Sequence, residues 1–276
     1  FVLNGEHAVQ QVHAVSPVQL QAQVLAQRPD DTQLRHLIEE ETRQLFDLQQ
    51  GPLLRTRLLQ LAPDDHVLIV TLHHIVSDGW SMQVMVEELV KGYAAFIQGQ
   101  APVLPELPIQ YADYAIWQRH WMEAGERERQ LEYWIARLGG QQPVLELPTD
   151  FARPAVMSYR GARLELDIDA ALVSGLKQMA QREGVSLFMI LLASFQALLH
   201  RYSGQNDIRV GVPTANRNRV ETDRLIGFFV NTQVLKSEVD SQDAFSALLQ
   251  QVKQTALGAQ AHQDLPFEQL LEAFPQ

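Results

Sequence analysis

Hydrophobic side chains in the first third of the chain follow first a helical and then a strand spacing. Residues 31–46 place apolar positions three or four apart behind Asp30 or Asp31, which predicts a surface helix with an aspartate N-cap. The apolar segments 53–61 and 66–74 are separated by an Ala-Pro-Asp-Asp turn sequence. Two strand-like segments joined by such a turn predict an antiparallel hairpin.

A second helical pattern follows the hairpin. Apolar residues recur every three or four positions over residues 82–97, which predicts a helix of about five turns. After a proline-rich stretch, the charged segment 117–138 is typical of a further helix. Residues 139–154 have the glycines and prolines of a linker. We therefore place a boundary there, between a first lobe of residues 1–140 and a second of residues 141–276.

The second half again combines strand-like and helical segments. A mostly apolar helix at 186–202, with Ser186 as N-cap, is hydrophobic around most of its circumference and is expected to pack in a core on several sides. The other predicted elements are strands at 163–168, 207–213 and 228–239 and helices at 169–183 and 243–257. Strand pairs followed by helices in both halves predict an α/β fold of mixed type.

Composition narrows the possible functions. Of the 276 residues, 46% are hydrophobic and 20% are charged. A chain of this length and composition can form one large domain or two smaller lobes, each with a hydrophobic core. A formal net charge of -11 without a cluster of Lys and Arg argues against nucleic-acid or anionic-membrane partners. The lack of cysteine excludes disulfides, thiolate zinc sites and cysteine nucleophiles.

The hydrophobic runs and the chain ends bear on location and completeness. The sequence has no run of 18 or more apolar residues and its first residues do not resemble a secretory leader, so we expect a cytoplasmic protein. The chain starts at Phe1 without an initiator Met and stops at Gln276 just after a helix-like segment. We therefore expect it to be cut from a longer protein.

The sequence His73-His74-Ile-Val-Ser-Asp78-Gly79 is the clearest candidate for chemistry. Successive side chains on a regular strand point to opposite faces, so His73 and His74 are not expected to face the same cavity. Histidine is suited to proton transfer near neutral pH, and Asp78 could orient it or anchor the loop. Gly79 permits a tight turn and close approach of a substrate to the backbone amides at the helix start.

On the residues alone, two other interpretations of this segment stay open. The histidines could be ordinary core or surface residues, with Asp78 only capping the helix that follows. A metal site is the weaker alternative, because adjacent strand residues diverge and no third or fourth ligand lies at a familiar spacing.

Five segments, in this order, resemble the sequence blocks of the condensation-domain family of nonribosomal peptide synthetases, the HHxxxDG superfamily. The first is the His-His segment itself, 73–79. The others are Tyr-Ala-Asp-Tyr-Ala-Ile-Trp-Gln at 111–118, Gly-Val-Pro-Thr-Ala-Asn-Arg at 211–217, Ile-Gly-Phe-Phe-Val-Asn-Thr at 226–232 and His-Gln-Asp-Leu-Pro-Phe-Glu at 262–268. Because these segments span nearly the whole chain, we identify it as a member of this family that is incomplete at both ends.

The resemblance implies two chloramphenicol-acetyltransferase-like lobes that form a V with a central tunnel. Donor and acceptor peptidyl carrier proteins are expected to dock at its opposite mouths, and an adenylation domain is expected next to it. The implied reaction is attack by the α-amine of an acceptor aminoacyl thioester on a donor acyl or peptidyl thioester. Both substrates are carried on 4′-phosphopantetheine arms, and no cofactor or metal bound by the domain itself is expected.

The resemblance also assigns roles to individual positions. His74 is expected to be catalytic, either by positioning the amine or as a general base or stabiliser of the tetrahedral intermediate. Gly79 is expected to present its amide near the thioester. Asp78 is assigned a structural ion pair, and Arg217 is the expected partner, in a contact that would join the lobes.

Three further residues, His73, Trp80 and Ser81, are expected to support the site, and Asn231 is expected to face the tunnel. An epimerisation domain keeps the HHxxxDG pattern and is an alternative, whereas a cyclisation domain has aspartate at the first histidine position, which His73 argues against. An acyltransferase that uses a coenzyme A thioester and a non-catalytic domain that docks carrier proteins are further alternatives. The family implies a role in the biosynthesis of antibiotics and other secondary metabolites.

Overall fold

The computed structural model describes residues 1–5, 7–15, 17–159 and 161–274. Within it the chain divides into two compact units. The first combines Phe1–Asp113 with Arg217–Phe229, and the second combines Tyr114–Asn216 with Val230–Gln276. The lobe boundary placed near residue 140 stays a prediction.

The strands of the first unit form a two-stranded and a three-stranded sheet. Strands β1 (Val2–Asn4) and β2 (His7–Val9) pair antiparallel. In the larger sheet the central strand is β4 (Leu54–Ala62), which pairs in parallel with β3 (Leu20–Val24) and antiparallel with β5 (Asp65–Leu72). The predicted hairpin is confirmed, although its second strand is shorter than expected.

Two helices of the first unit begin at aspartate caps. The carboxylate of Asp30 accepts a hydrogen bond from the Gln33 amide at the start of α1 (Asp31–Arg43), which confirms an aspartate cap for this helix. Helix α2 (Gly79–Ile97) is capped in the same way by Asp78. The predicted second helix is therefore confirmed, and its cap belongs to the His-His segment.

The segment predicted as one charged helix consists of two helices. Helix α3 (Tyr111–Trp121) begins at the start of the 111–118 block, and α4 (Arg127–Leu138) follows it. The turn between them, Met122–Glu126, is wider than an α-helical turn, and Gly125 within it has a φ of 106°. The prediction of an uninterrupted helix is wrong, because a positive φ breaks the right-handed helical path.

The described residues in the rest of the second unit form four helices and one strand pair. These elements are α5 (Ala170–Glu183), α6 (Leu187–Ser203), β6 (Asp207–Thr214), β7 (Asn231–Glu238), α7 (Phe245–Gln260) and α8 (Phe267–Glu272). Strands β6 and β7 pair antiparallel, and α6 and α7 pack next to them around buried Ile190, Leu249 and Val252. Ser186 caps α6 as predicted, since its hydroxyl accepts a hydrogen bond from the Met189 amide.

Two strand predictions for the second half need correction. Residues 163–168 form no strand, and Leu164 is 84% exposed. Within the described residues no neighbouring strand pairs with this segment, and an unpaired strand is not stable in water. Strand β7 begins at Asn231 and not at residue 228, because the Phe229 amide donates to the Asp78 carboxylate instead of to a neighbouring strand.

Helix α6 packs into the core along one face only. Ile190 and Ala193 on this helix are buried, whereas Leu191, Phe195 and Leu198 are exposed. The expectation that it packs on several sides is therefore wrong for the described part of the chain. Among the described residues no single helix has the length and apolar composition to cross a membrane; α5 and α6 reach both only as a pair, bent by 103°.

Candidate active site

The His-His segment leaves the sheet and forms a short turn of 3₁₀-helix, His74–Val76. His73 caps this turn: its Nδ1 accepts a hydrogen bond from the Ile75 amide at 3.0 Å, and its ring meets that of Phe46 edge to face. Strand alternation does not separate the two histidines, as had been expected, because β5 ends before both of them. What separates the two imidazoles is the cap, which ties up His73 and leaves His74 exposed.

A cavity of about 560 Å³ lies along β5 and the start of α2. His74 and Gly79 both line it, together with Ser77, Asp78 and the apolar side chains of β5. Gly79 is the first residue of α2, where backbone N–H groups have no acceptor within the helix. A Cβ added at Gly79 would meet nothing within 4 Å, so there is open space beside this backbone.

Hydroxyl groups also lie along this cavity. Among the described residues, the Oγ of Ser77 and the Oγ1 of Thr71 are buried without a hydrogen-bond partner, and both residues line the cavity. A buried hydroxyl without a partner has lost its hydration, so a polar ligand atom would be favoured next to it. The cavity therefore combines an imidazole, a helix-start amide and two hydroxyls.

Asp78 is buried, with 2% of its surface exposed, and both carboxylate oxygens are engaged. Oδ1 accepts from the Ser81 amide at 2.8 Å and Oδ2 from the Phe229 amide at 3.0 Å. The Nη2 of Arg217 lies 3.1 Å from Oδ1 and 3.4 Å from Oδ2. Burial by itself would raise the pKa of Asp78, but the hydrogen bonds from Ser81 and Phe229 and the charge of Arg217 outweigh it and lower the pKa below its ordinary value.

Arg217, the predicted partner of Asp78, is equally buried. Its Nη1 donates to the carbonyl oxygens of Thr222 and Leu225 at 2.5 and 2.9 Å, and its guanidinium lies 4.0 Å from the ring centroid of Phe229. The expected ion pair is present. Because both residues belong to the first unit, the expectation that the pair joins two lobes stays a prediction.

Ser81 holds a second contact between helix α2 and the 226–232 block. Its Oγ accepts from the Gly227 amide at 3.0 Å and donates to the Gly227 carbonyl at 2.9 Å, and it also accepts from Arg217 at 2.8 Å. Next to it, the indole of Trp80 donates to the Asp223 carbonyl at 2.8 Å. Ser81 and Trp80 were expected to support the site, and the structure shows both bonded to the segment that follows Arg217.

Tyr111 and Gly227 are residues that sequence reasoning missed. A Cβ at Gly227 would overlap Cδ2 of Tyr111, so the tyrosine ring rests directly on the glycine backbone. The Tyr111 hydroxyl donates to the Phe228 carbonyl at 2.6 Å. Burial and the nearby charge of Asp78 raise the pKa of Tyr111. The available signal was that Tyr111 belongs to the 111–118 block and Gly227 to the 226–232 block. The order of these blocks along the chain does not show that they are in contact.

Asn231, expected to face a tunnel, has its side-chain amide engaged within the second unit. Its Nδ2 donates to the carbonyl oxygens of Gln263 and Leu265 at 2.8 and 2.7 Å, and its Oδ1 accepts from the Phe267 amide at 3.0 Å. The tunnel role stays a prediction. Among the described residues, no group of three or more His, Asp or Glu side chains could hold a metal ion.

Sequence and fold comparisons identify the class of domain. The sequence profile of the condensation-domain family matches residues 1–276, and the chain belongs to that family. It is 46% identical to malpinin synthetase of Mortierella alpina over 243 residues, which cover 88% of this chain and 3% of that protein. It is 40% identical to gramicidin S synthase 2 of Brevibacillus brevis over 271 residues, which cover 98% of this chain and 6% of that protein. The family recognised from the five sequence blocks is confirmed.

Solved structures of related domains have the same fold as this chain. The X-domain from teicoplanin biosynthesis, also solved in complex with OxyB, matches 96% of this chain and 60% of its own with a TM-score of 0.87 and 29% identity. The first condensation domain of the CDA synthetase matches 92% of this chain and 56% of its own with a TM-score of 0.72 at 23% identity, which concerns the fold alone. The mixed α/β, chloramphenicol-acetyltransferase-like fold is confirmed, whereas its V shape and tunnel stay predictions. The chain spans under two thirds of each relative.

Proposed function

We propose that this chain is a catalytic condensation domain that forms a peptide bond. The α-amine of an acceptor aminoacyl thioester attacks the carbonyl of a donor acyl or peptidyl thioester. A C–N bond forms, the C–S bond breaks, and the proton lost by the amine is balanced by protonation of the released thiolate. Both thioesters are on phosphopantetheine arms of carrier proteins. Those carriers, an adjacent adenylation domain and the cytoplasmic location are part of the proposal.

The observation that carries this proposal is that His74 and Gly79 line one cavity while Asp78 is engaged elsewhere. Both oxygens of Asp78 accept hydrogen bonds from buried donors, so its carboxylate is not free to take a proton from a substrate. Among the described residues that line the cavity, His74 alone has a side chain suited to proton exchange near neutral pH. His74 therefore orients the amine and holds its proton as the bond forms.

Gly79 supplies the second contribution. Attack on the thioester places negative charge on the carbonyl oxygen, and a backbone amide in the first turn of α2 suits that charge. One such donor contributes roughly 3 kcal/mol to the stability of an oxyanion transition state. The lack of a side chain at Gly79 leaves the space that the thioester needs.

A second candidate function is docking of partner proteins without catalysis. The similarity to the X-domain, which has been solved in complex with OxyB, favours it. The combination of an exposed His74 and an open Gly79 at one cavity favours catalysis instead. A turnover experiment separates the two.

The test uses the full-length protein with donor and acceptor carrier proteins, each loaded by its own adenylation domain. We expect dipeptide release with the unaltered protein and a fall of about 100-fold or more in kcat for His74→Ala. His66→Ala is the matched control, since His66 is an exposed histidine at the start of β5, the strand that ends just before His73, and lies outside the cavity. The control is expected to keep the unaltered rate.

Each alternative has its own result. An unchanged rate for His74→Ala would remove the catalytic role assigned to this residue. Inversion of the carrier-bound aminoacyl group without peptide formation would make the domain an epimerase. Binding of the carriers with neither reaction, for the unaltered protein, would support the docking function.

A further inference from the structure

The ring of Phe228 meets the imidazole of His74 edge to face, with ring centroids 5.2 Å apart and planes at 87°. Phe228 has no acid, base or hydrogen-bonding group in its side chain. It can therefore affect a reaction at His74 through the orientation of the imidazole, which is the exposed side chain of the 3₁₀ turn. Aromatic pairs of this geometry contribute to stability beyond the area they bury.

The Phe228 carbonyl and the backbone of both neighbouring residues make hydrogen bonds. The Tyr111 hydroxyl donates to the carbonyl of Phe228 itself. The preceding residue, Gly227, exchanges two hydrogen bonds with the Ser81 hydroxyl, and the following residue, Phe229, donates its amide to Asp78. Three consecutive residues thus have fixed backbone positions, although the Phe228 side chain is 39% exposed.

The Phe228 ring is partly exposed although its backbone is fixed by hydrogen bonds, so the main role of this ring is not to fill the hydrophobic core. Asp78 and Ser81 are at the start of α2, directly after the turn that carries His74. The same short stretch of chain therefore carries the His74 imidazole and forms hydrogen bonds to the backbone on both sides of Phe228. The hydrogen bonds that hold the backbone at residues 227–229 involve neither the Phe228 ring nor the His74 imidazole. This is the arrangement expected of a support for a catalytic group.

We propose that Phe228 is a positioning residue for His74, and that Ser81, Asp78 and Tyr111 act by fixing the backbone beneath it. The inference rests on the proposed function, because it assigns Phe228 a role in the reaction at His74. It extends that function with a residue that acts through the His74 imidazole.

The main test compares Phe228→Leu with Phe228→Tyr in the same assay of carrier-bound dipeptide formation. Leucine removes the ring contact, and we expect kcat to fall about 10- to 100-fold while the KM for each loaded carrier changes less than about twofold. Tyrosine keeps the ring and is expected to restore most of the rate. Phe151→Leu is the matched control at an 85% exposed phenylalanine outside the site, and no change in rate is expected.

A second variant keeps the proposal testable if Phe228→Leu is poorly folded. Tyr111→Phe removes the hydrogen bond to the Phe228 carbonyl but leaves the ring against Gly227. We expect a smaller decrease in kcat, again with KM nearly unchanged, and an unaltered melting temperature within a few degrees.

The outcomes separate this inference from the proposed function. If His74→Ala loses activity while both Phe228→Leu and Tyr111→Phe keep the unaltered kcat, the positioning role is wrong and the proposed function is retained. If Phe228→Leu raises KM with kcat unchanged, Phe228 contacts substrate and does not position His74. If Phe228→Tyr is as slow as Phe228→Leu, the ring contact is not what matters. If His74→Ala itself is fully active, both proposals fail.

Discussion

Each unit contains a buried polar cluster that joins residues far apart in the sequence, and the two clusters differ in charge. In the first unit Asp78 pairs with Arg217, 139 positions away. In the second unit the Gln130 side chain accepts from the Leu265 amide, 135 positions away, and Asn231 donates to the Leu265 carbonyl. In this second cluster, here called the neutral cluster, uncharged side-chain amides join a helix and a distant loop, and Gln130 also donates to the carboxylates of Glu126 and Asp264.

A buried charge changes both the desolvation cost of a cluster and the cost of losing one of its partners. A neutral amide with matched donors and acceptors joins two segments at little desolvation cost, as Gln130 does. A buried ion pair costs more to desolvate, but the loss of one partner leaves an uncompensated charge. The charged cluster lies directly after the turn that carries His74, where a precise backbone position has a chemical use. The neutral cluster has no such neighbour among the residues proposed for catalysis.

The largest expected effect on the free energy of unfolding comes from removing Arg217, the charged partner of Asp78. In Arg217→Met the Asp78 carboxylate stays buried without a countercharge, and the carbonyl oxygens of Thr222 and Leu225 lose a donor. We expect the free energy of unfolding to fall by about 3–5 kcal/mol. Urea denaturation of the domain, followed by circular dichroism, measures it.

The matched substitution in the neutral cluster is Gln130→Leu. It leaves the amides of Asp264 and Leu265 without the acceptor that Gln130 provides, and the carboxylates of Glu126 and Asp264 without its donor, which is expected to cost about 1–3 kcal/mol. A cost for Gln130→Leu equal to or greater than that for Arg217→Met would show that the charge is not what distinguishes the clusters.

The second prediction compares two glycines that each lie against a tyrosine. Alanine at Gly227 would place Cβ in overlap with Cδ2 of Tyr111 and 2.6 Å from its Cε2, and we expect a loss of about 1–3 kcal/mol. Alanine at Gly258, in helix α7, would meet the Tyr133 hydroxyl. There the movable end of the side chain can give way, and the gain in helix propensity of about 1 kcal/mol offsets the cost.

The control for the glycine pair is Gly92→Ala in α2, where a Cβ would meet nothing within 4 Å. It is expected to stabilise the domain by up to about 1 kcal/mol. The melting temperatures of the three variants give the order. An equal effect at Gly227 and Gly258 would contradict the idea that the Tyr111 contact is the more tightly fixed one.

The smallest expected effect is on acid stability. The pKa of Asp78 is lower in the folded than in the unfolded state, so its contribution is fully present above its ordinary pKa near 4 and is lost as pH falls through the folded value. We expect Asp78→Asn to show a shallower loss of unfolding free energy below about pH 4 than the unaltered protein.

This substitution does not abolish acid sensitivity. Next to the neutral cluster, hydrogen bonds from Arg129 and Gln130 lower the pKa of Glu126 to about 2 against the effect of its own burial, so its contribution is also lost on acidification. Urea titrations at a series of pH values between about 5 and 2 measure both contributions. If the unfolding free energy of Asp78→Asn changes with pH in the same way as that of the unaltered protein throughout this range, the charge of Asp78 does not contribute to the acid dependence of stability.

Several parts of this structure could be predicted from local pattern. The helix capped by Asp30, the β4 and β5 hairpin and the start of α2 after Asp78 were found correctly, since their spacing and caps act within a few residues. The break at Gly125 was missed, because a glycine inside a helical pattern does not show which φ it adopts. The strand expected at 163–168 failed for a related reason, since a strand exists only with a partner.

The sequence by itself determined which residues could do chemistry and, through its five blocks, the family to which the chain belongs. It also offered Asp78 as a cap of α2, one of the interpretations left open there, and the structure has this cap because capping is a local interaction. Only the tertiary structure decided that Ser81 would hold Gly227, that Tyr111 would rest on it, and that Phe228 would meet His74. Those contacts join segments more than 100 positions apart, and their geometry comes from packing and buried hydrogen bonds that no local pattern records.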